Sequence, residues 1–98
     1  MIPHRTESIQ LSIRLLGGLH VGRQQHLLVR CRMGASLADL MKEIELAYSE
    51  SANSLLRGVS VGETLIFVNN RHVRPEEAEA LVLRDGDVVS LLPPLAGG

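Results

Sequence analysis

The sequence predicts an α+β fold, with one mixed sheet wrapped on one helix. Three observations predict it. Apolar and polar residues alternate in two early segments, residues 9–15 and 27–33, and a period of two marks half-buried strands. Residues 37–48 carry their apolar side chains at helical spacing instead. Short apolar runs bounded by turn residues follow, at residues 64–68, 72–73 and 88–92. Two strands, a helix and further strands on so short a chain pack as one sheet against one helix.

Residues 1–7 are polar and aperiodic and read as loose. In the first strand Ile9, Leu11, Ile13 and Leu15 point one way, and Gln10, Ser12 and Arg14 the other. Gly17-Gly18 is a turn signal. In the second strand Leu27, Val29, Cys31 and Met33 alternate with His26, Leu28, Arg30 and Arg32. The pair predicts an antiparallel hairpin. Its connection, residues 17–25, is longer than the tightest two-residue type.

Gly34 breaks this period. Ser36 is a good N-cap, and Asp39, three residues on, makes an approximate capping box. Leu37, Leu40, Met41, Ile44 and Tyr48 share one face of a helix over residues 36–49, with Lys42, Glu43, Glu45 and Ser49 largely off it. Residues 50–63 are rich in Ser, Asn and Gly and read as a loop, with at most a short turn at 53–56. After the strand at 64–68, Asn69-Asn70-Arg71 reads as a tight turn, because Asn tolerates positive φ. His72 and Val73 begin a short returning strand. Pro75-Glu76-Glu77-Ala78 is a loop or helical turn with Pro in the first turn. Leu81, Val82 and Leu83 pin it to the core. Arg84-Asp85-Gly86-Asp87 is a turn with Gly86 at positive φ. Residues 88–92 are apolar on both faces apart from Ser90, the pattern of a central strand.

Ninety-eight residues make one domain. Residues 1–92 are assigned to it, and residues 93–98 to a flexible C-terminal tail. With one Phe, one Tyr and no Trp, the core is aliphatic. A formal net charge of −1 gives no bulk attraction to nucleic acid or to a membrane. No run approaches the roughly 18 apolar residues of a membrane span. The first residues lack the apolar core of a secretory signal, so the expected location is cytoplasmic. Cys31 is the single cysteine, which excludes an internal disulfide and a multi-cysteine metal site. Lys42 is the only lysine.

Other candidate sites have plain structural readings. His4, His20, His26 and His72 show no metal-ligand spacing, so no metal is expected. Cys31 alternates inward and reads as a small buried hydrophobe. Glu76, Glu77 and Glu79 read as a solvated loop, with a docking patch for a basic partner as the alternative, and Arg71 and Arg74 are placed to pair with them. Gly17-Gly18 lacks the further glycines and the following helix of a phosphate loop. No Ser/His/Asp constellation stands out, and the chain is not expected to be an enzyme.

The element order is that of a β-grasp, or ubiquitin-like, fold. Residues 64–98 resemble the MoaD/ThiS family of ubiquitin-like sulfur carriers. The resemblance is carried by Val68-Asn69-Asn70-Arg71, by Leu83-Arg84-Asp85-Gly86-Asp87-Val88-Val89, and by Pro93-Pro94-Leu95-Ala96-Gly97-Gly98. The last is similar to the P-P-V-A-G-G of the molybdopterin-synthase branch, with Leu95 in place of Val. The first 63 residues match in element order alone.

The resemblance implies a protein co-substrate, the small non-catalytic subunit of a sulfurtransferase complex. The α-carboxylate of Gly98 would be adenylated and then converted to a thiocarboxylate that donates sulfur to molybdopterin, in molybdenum cofactor biosynthesis. The implied partners are an E1-like adenylating enzyme of the MoeB/ThiF type, a large molybdopterin synthase subunit (MoaE-like) and a sulfur donor protein. It also implies that the chain itself binds no cofactor and that the partner enzyme uses the ATP.

The tail residues suit that chemistry. Six extended residues span at most about 20 Å. Pro93 and Pro94 stiffen the base. Leu95 is an anchor for a partner's groove, and Ala96 and Gly97 pass a channel too narrow for larger side chains. Phe67, Val68, Leu91 and Leu92 are the candidate partner surface. Rival readings are a carrier for thiamin, cysteine or tRNA thiolation, a ubiquitin-like modifier conjugated to lysines through Gly98, and an interaction module with an incidental tail.

Overall fold

The computed structural model describes residues 7–93. Five strands and two helices appear in the order β1 (Ser8–Leu15), β2 (His26–Arg32), α1 (Leu37–Tyr48), α2 (Asn53–Ser60), β3 (Leu65–Val68), β4 (Arg71–Val73) and β5 (Val88–Leu92). The sheet order is β2-β1-β5-β3-β4. β1 pairs antiparallel with β2 and parallel with β5, while β3 pairs antiparallel with both β4 and β5. This is the expected mixed sheet of a β-grasp, and β5 holds its centre as the apolar run predicts.

The inward residues of β1, Ile9, Leu11, Ile13 and Leu15, are all buried. They meet Leu37, Leu40 and Ile44 of α1, together with Ile66, Val73, Val89 and Leu91. The core is thus aliphatic. α1 starts on the predicted capping box. The Asp39 backbone N–H donates to Ser36 Oγ at 3.1 Å, and the Ser36 N–H donates to Asp39 Oδ2 at 2.9 Å. The Ser36 N–H beside it holds the Asp39 carboxyl below its ordinary range, and the nearby Arg32 adds to the effect.

The predicted loop at 50–63 is corrected. A 3-10 turn at Ser49–Ala52 runs directly into α2. Ala52, Leu55 and Val59 are buried, a spacing that belongs to a helix. Gly58 diluted that signal. A Cβ there would lie 2.5 Å from Thr64 Oγ1, and the N–H groups of Glu63 and Thr64 both donate to the Gly58 carbonyl, at 2.9 and 3.0 Å. A close turn from α2 into β3 demands the residue that made the segment look like loop.

Two smaller expectations also change. Met33 lies beyond β2 and is exposed. Val82 is exposed, whereas Leu83 is buried. Leu81 and Leu83 tie their segment to the start of α1 through backbone bonds, Leu37 N–H to the Leu81 carbonyl and Leu83 N–H to the Ala35 carbonyl, both 2.9 Å. Among the described residues no helix is long and apolar enough to cross a membrane.

Candidate functional site

The site is built around β5, because this strand leads toward the predicted reactive end. Its first end is fixed by polar contacts. Asn69 and Asn70 both take positive φ, at 48° and 71°, in the turn between β3 and β4. That turn faces the start of β5. Asn69 Nδ2 donates to Asp87 Oδ1 at 2.8 Å, and the Val88 N–H donates to Asn69 Oδ1 at 2.9 Å. The Asn69 N–H donates to the Val88 carbonyl at 2.8 Å. Asp87 Oδ2 accepts from the Arg84 N–H at 2.8 Å, and Asp85 Oδ1 accepts from the Gln10 N–H at 2.8 Å. Gly86, at φ 86° as expected, donates its N–H to the Gln10 carbonyl at 2.9 Å. The two sequence signals, V-N-N-R and D-G-D, are therefore halves of one clamp. It joins β1, β3 and β5.

The other end of β5 is held differently. Leu15 stands opposite Leu91 in the parallel register, and the Leu16 N–H donates to the Leu91 carbonyl at 2.9 Å. Beyond β5, Pro93 is half-buried. Pro94, Leu95, Ala96, Gly97 and Gly98, to which the sequence assigns insertion and reaction, lie outside the described residues.

The four candidate surface residues separate by strand parity. Leu91 is fully buried and Val68 is 8% exposed, so both belong to the core and are withdrawn as partner contacts. Phe67 and Leu92 are half-buried on the outer face. There Phe67 stands opposite Ser90 and His72, and Ser90 stands opposite Arg14. Phe67 and His72 form a tilted ring pair with centroids 5.4 Å apart. Sequence reasoning missed Leu28, which is 59% exposed on the outer face of β2, as well as Leu16, Leu65 and Val88. Leu28 was readable from its place in the polar phase of the β2 alternation.

Both signs of charge occur on the helix side, where Lys42 and Arg57 lie on the helices and Arg32 reaches from β2 to Asp39 at 3.2 Å, whereas the outer sheet face is basic. Among the described strand residues the outer positions carry Arg14, Arg30 and Arg32 and no carboxylate. The carboxylates of Asp39, Glu43 and Glu45 lie on α1, and Glu76 and Glu77 lie on the 3-10 turn after β4. Arg74 pairs with Glu77 at 3.4 Å, and the Arg74 backbone N–H is the main cause that holds the Glu77 carboxyl below its ordinary range. Cys31 is 4% exposed. Burial first, then Glu43 and Asp39, pushes its thiol up, which opposes the thiolate a nucleophile needs. Among the described residues no cluster of three metal-ligating side chains forms.

Comparison with known proteins agrees with this geometry. A model of the ThiS family matches residues 21–98. The molybdopterin synthase sulfur carrier subunit of Chlamydomonas reinhardtii is 39% identical over 66 residues, covering 66% of this chain and 69% of that protein. Small archaeal modifier protein 3 of Haloferax volcanii is 34% identical over 65 residues, covering 65% and 71%. The solution structure of the Haloferax volcanii HVO 2177 protein superposes with a TM-score of 0.72 at 25% identity, covering 100% of this chain and 94% of the other. The crystal structure of SAMP1 from Haloferax volcanii gives a TM-score of 0.73 at 19% identity, covering 91% and 99%, a likeness of fold. With a family match that takes in most of the chain, the β-grasp body and both motif turns in place, this chain belongs to the ThiS/MoaD family of ubiquitin-like proteins.

Proposed function

We propose that this chain carries sulfur as a thiocarboxylate on Gly98 and donates it in molybdopterin biosynthesis. The observation that carries the reading is the 39% identity to a molybdopterin synthase sulfur carrier subunit. The chemistry follows from the carboxylate. Its charge is delocalised, so it is a poor electrophile. Attack on the α-phosphorus of ATP releases pyrophosphate and leaves an acyl adenylate. The outer sulfur of a persulfide on the sulfur donor protein then displaces AMP to give an acyl disulfide. A second thiol attacks the donor sulfur of that S–S bond, ends as a disulfide with it, and releases the thiocarboxylate, a good nucleophile.

The chain supplies the reacting end, and its partners supply the catalysis. These are an E1-like adenylating enzyme of the MoeB/ThiF type and a MoaE-like large subunit. The outer sheet face, with Phe67, Leu92, Leu28 and Val88 flanked by Arg14 and Arg30, is the docking surface in this reading. It suits a partner with an apolar centre and an acidic rim, since opposite charge steers encounter.

The experiment is intact-mass measurement. With ATP and the adenylating enzyme the chain should gain an adenylate at Gly98. With a sulfur donor added, the mass should rise by the difference between one sulfur and one oxygen. An unchanged mass with an enzyme that is active on its own carrier would sink the proposal. A second reading has support in the 34% identity to small archaeal modifier protein 3. In it the same adenylate is captured by a lysine amine of another protein, and the Gly98 carbonyl would be found in isopeptide linkage in cell extracts. Carriers for cysteine, thiamin or tRNA thiolation would share the mass shift and differ in the acceptor.

A further inference from the structure

We propose that Gly17 is a positioning residue, a seat for Pro93 that sets the direction in which the chain leaves the sheet. The proposal rests on the reading of Gly98 as the reacting end. Two independent features of Gly17 carry it. Its φ is +61°, a conformation that L side chains rarely adopt. A Cβ built there would stand 2.8 Å from both Cδ and Cγ of Pro93, and 3.5 Å from Leu92 Cδ1. The pyrrolidine ring thus rests on bare backbone.

The seat is itself held in place. The Leu16 N–H donates to the Leu91 carbonyl at 2.9 Å, and the Leu19 N–H closes the turn on the Leu16 carbonyl at 3.1 Å. The turn after β1 is therefore bonded to β5 two residues before Pro93. Pro93 has a fixed φ, so a shift of its ring turns the peptide that follows. Residues beyond it must reach another protein's active site, where a misplacement of about 1 Å can cost a hundredfold in rate.

Gly18 is a matched control. It lies in the same turn at φ +87°, and a Cβ there meets nothing within 4 Å. Gly17→Ala and Gly18→Ala carry a similar backbone cost, and only the first displaces Pro93. With the ATP-dependent adenylating enzyme and pyrophosphate release as the readout, Gly17→Ala should lower kcat about ten- to a hundredfold. KM should hardly move, because the sheet face still docks. Gly18→Ala should stay within about twofold of wild type in both, since it displaces no neighbour. In the Pro93→Ala background, which lacks the ring, Gly17→Ala should cost little more, a non-additivity that contact between the two residues predicts.

A second measurement needs no partner. In the isolated chain a nuclear Overhauser contact should join Gly17 Hα to Pro93 Hδ in wild type and Gly18→Ala. It should be weakened or lost in Gly17→Ala. Its absence from wild type overturns the seat, and so do equal kcat values for the two alanine variants. Wild type that is never adenylated while the contact is present overturns the sulfur-carrier reading and leaves the seat standing.

Discussion

The two ends of β5 are built on different principles. At the Val88 end, side-chain carboxylates and an asparagine amide make directional bonds to β1, β3 and the turn before the strand. At the Leu92 end the strand has its ladder pairings with Leu15 on one side and Leu65 and Ile66 on the other, a further backbone bond from Leu16 to Leu91, apolar packing and a proline ring on a glycine. The difference teaches how a small body can pin one end of a strand with side chains and leave the other to the ladder and to packing. Register is fixed where the strand enters. Where it leaves, no side-chain hydrogen bond joins the strand among the described residues, and beyond the ladder it is apolar shape that orients it.

Variants can break each half of this comparison. Leu91→Ala should have the largest effect, a loss of about 2–5 kcal/mol of stability, because it empties a fully buried site at the centre of the sheet. Phe67→Ala, one strand over on the outer face, should instead weaken partner binding and leave most of the stability. Urea titration beside a binding isotherm separates the two, and a Leu91 variant that stayed stable but bound poorly would reverse the assignment. Asp87→Ala should come next, at about 1–2 kcal/mol, because it removes the acceptor for both Asn69 and Arg84. Faster hydrogen exchange at the Asn69 and Val88 amides, with Leu16 unchanged below the global transition, would locate the damage at the entry end.

The smallest effect is that of acid. The Asp39 and Glu77 carboxyls have lowered folded values. Their contribution is therefore fully present above the unfolded values of roughly 3.9 and 4.3, and it is lost as pH falls through the folded ones. Below about pH 4 the Ser36 and Arg74 amides, which donate to these carboxylates, should shift first in NMR spectra. Leu16 should follow only global unfolding, since no ionisable group touches the exit end in the contacts described. An early Leu16 shift would contradict that picture.

Much of this was legible beforehand, for reasons that lie in particular residues. The alternation over Ile9–Leu15 has one buried side, so its period was unambiguous. Ser36 and Asp39 announced α1 because capping chemistry is local. Asn69 and Gly86 showed in their side chains, or lack of them, the positive φ they adopt. α2 was not legible, because Gly58 answers to Thr64 across a turn and not to helix propensity. Val68 and Leu91 were misplaced because an all-apolar strand carries no parity signal, and only pairing tells its two faces apart. The bond from Asn69 to Asp87 joins motifs 18 residues apart, which no local pattern encodes.

The place of β5 also bears on synthesis. β1 and β2 form one hairpin, β3 and β4 another, and β5 alone pairs with both β1 and β3. A nascent chain therefore carries two separate ribbons until its final strand leaves the ribosome, and a two-stranded ribbon by itself is at best marginally stable. Closure depends on the most distant pairing in the sequence, which makes it the slow event of folding. The consequence is a form of proofreading. Any product that stops short of β5 lacks the joined sheet, so in the proposed reading only a chain with a finished body would present Gly98 to its partner enzymes.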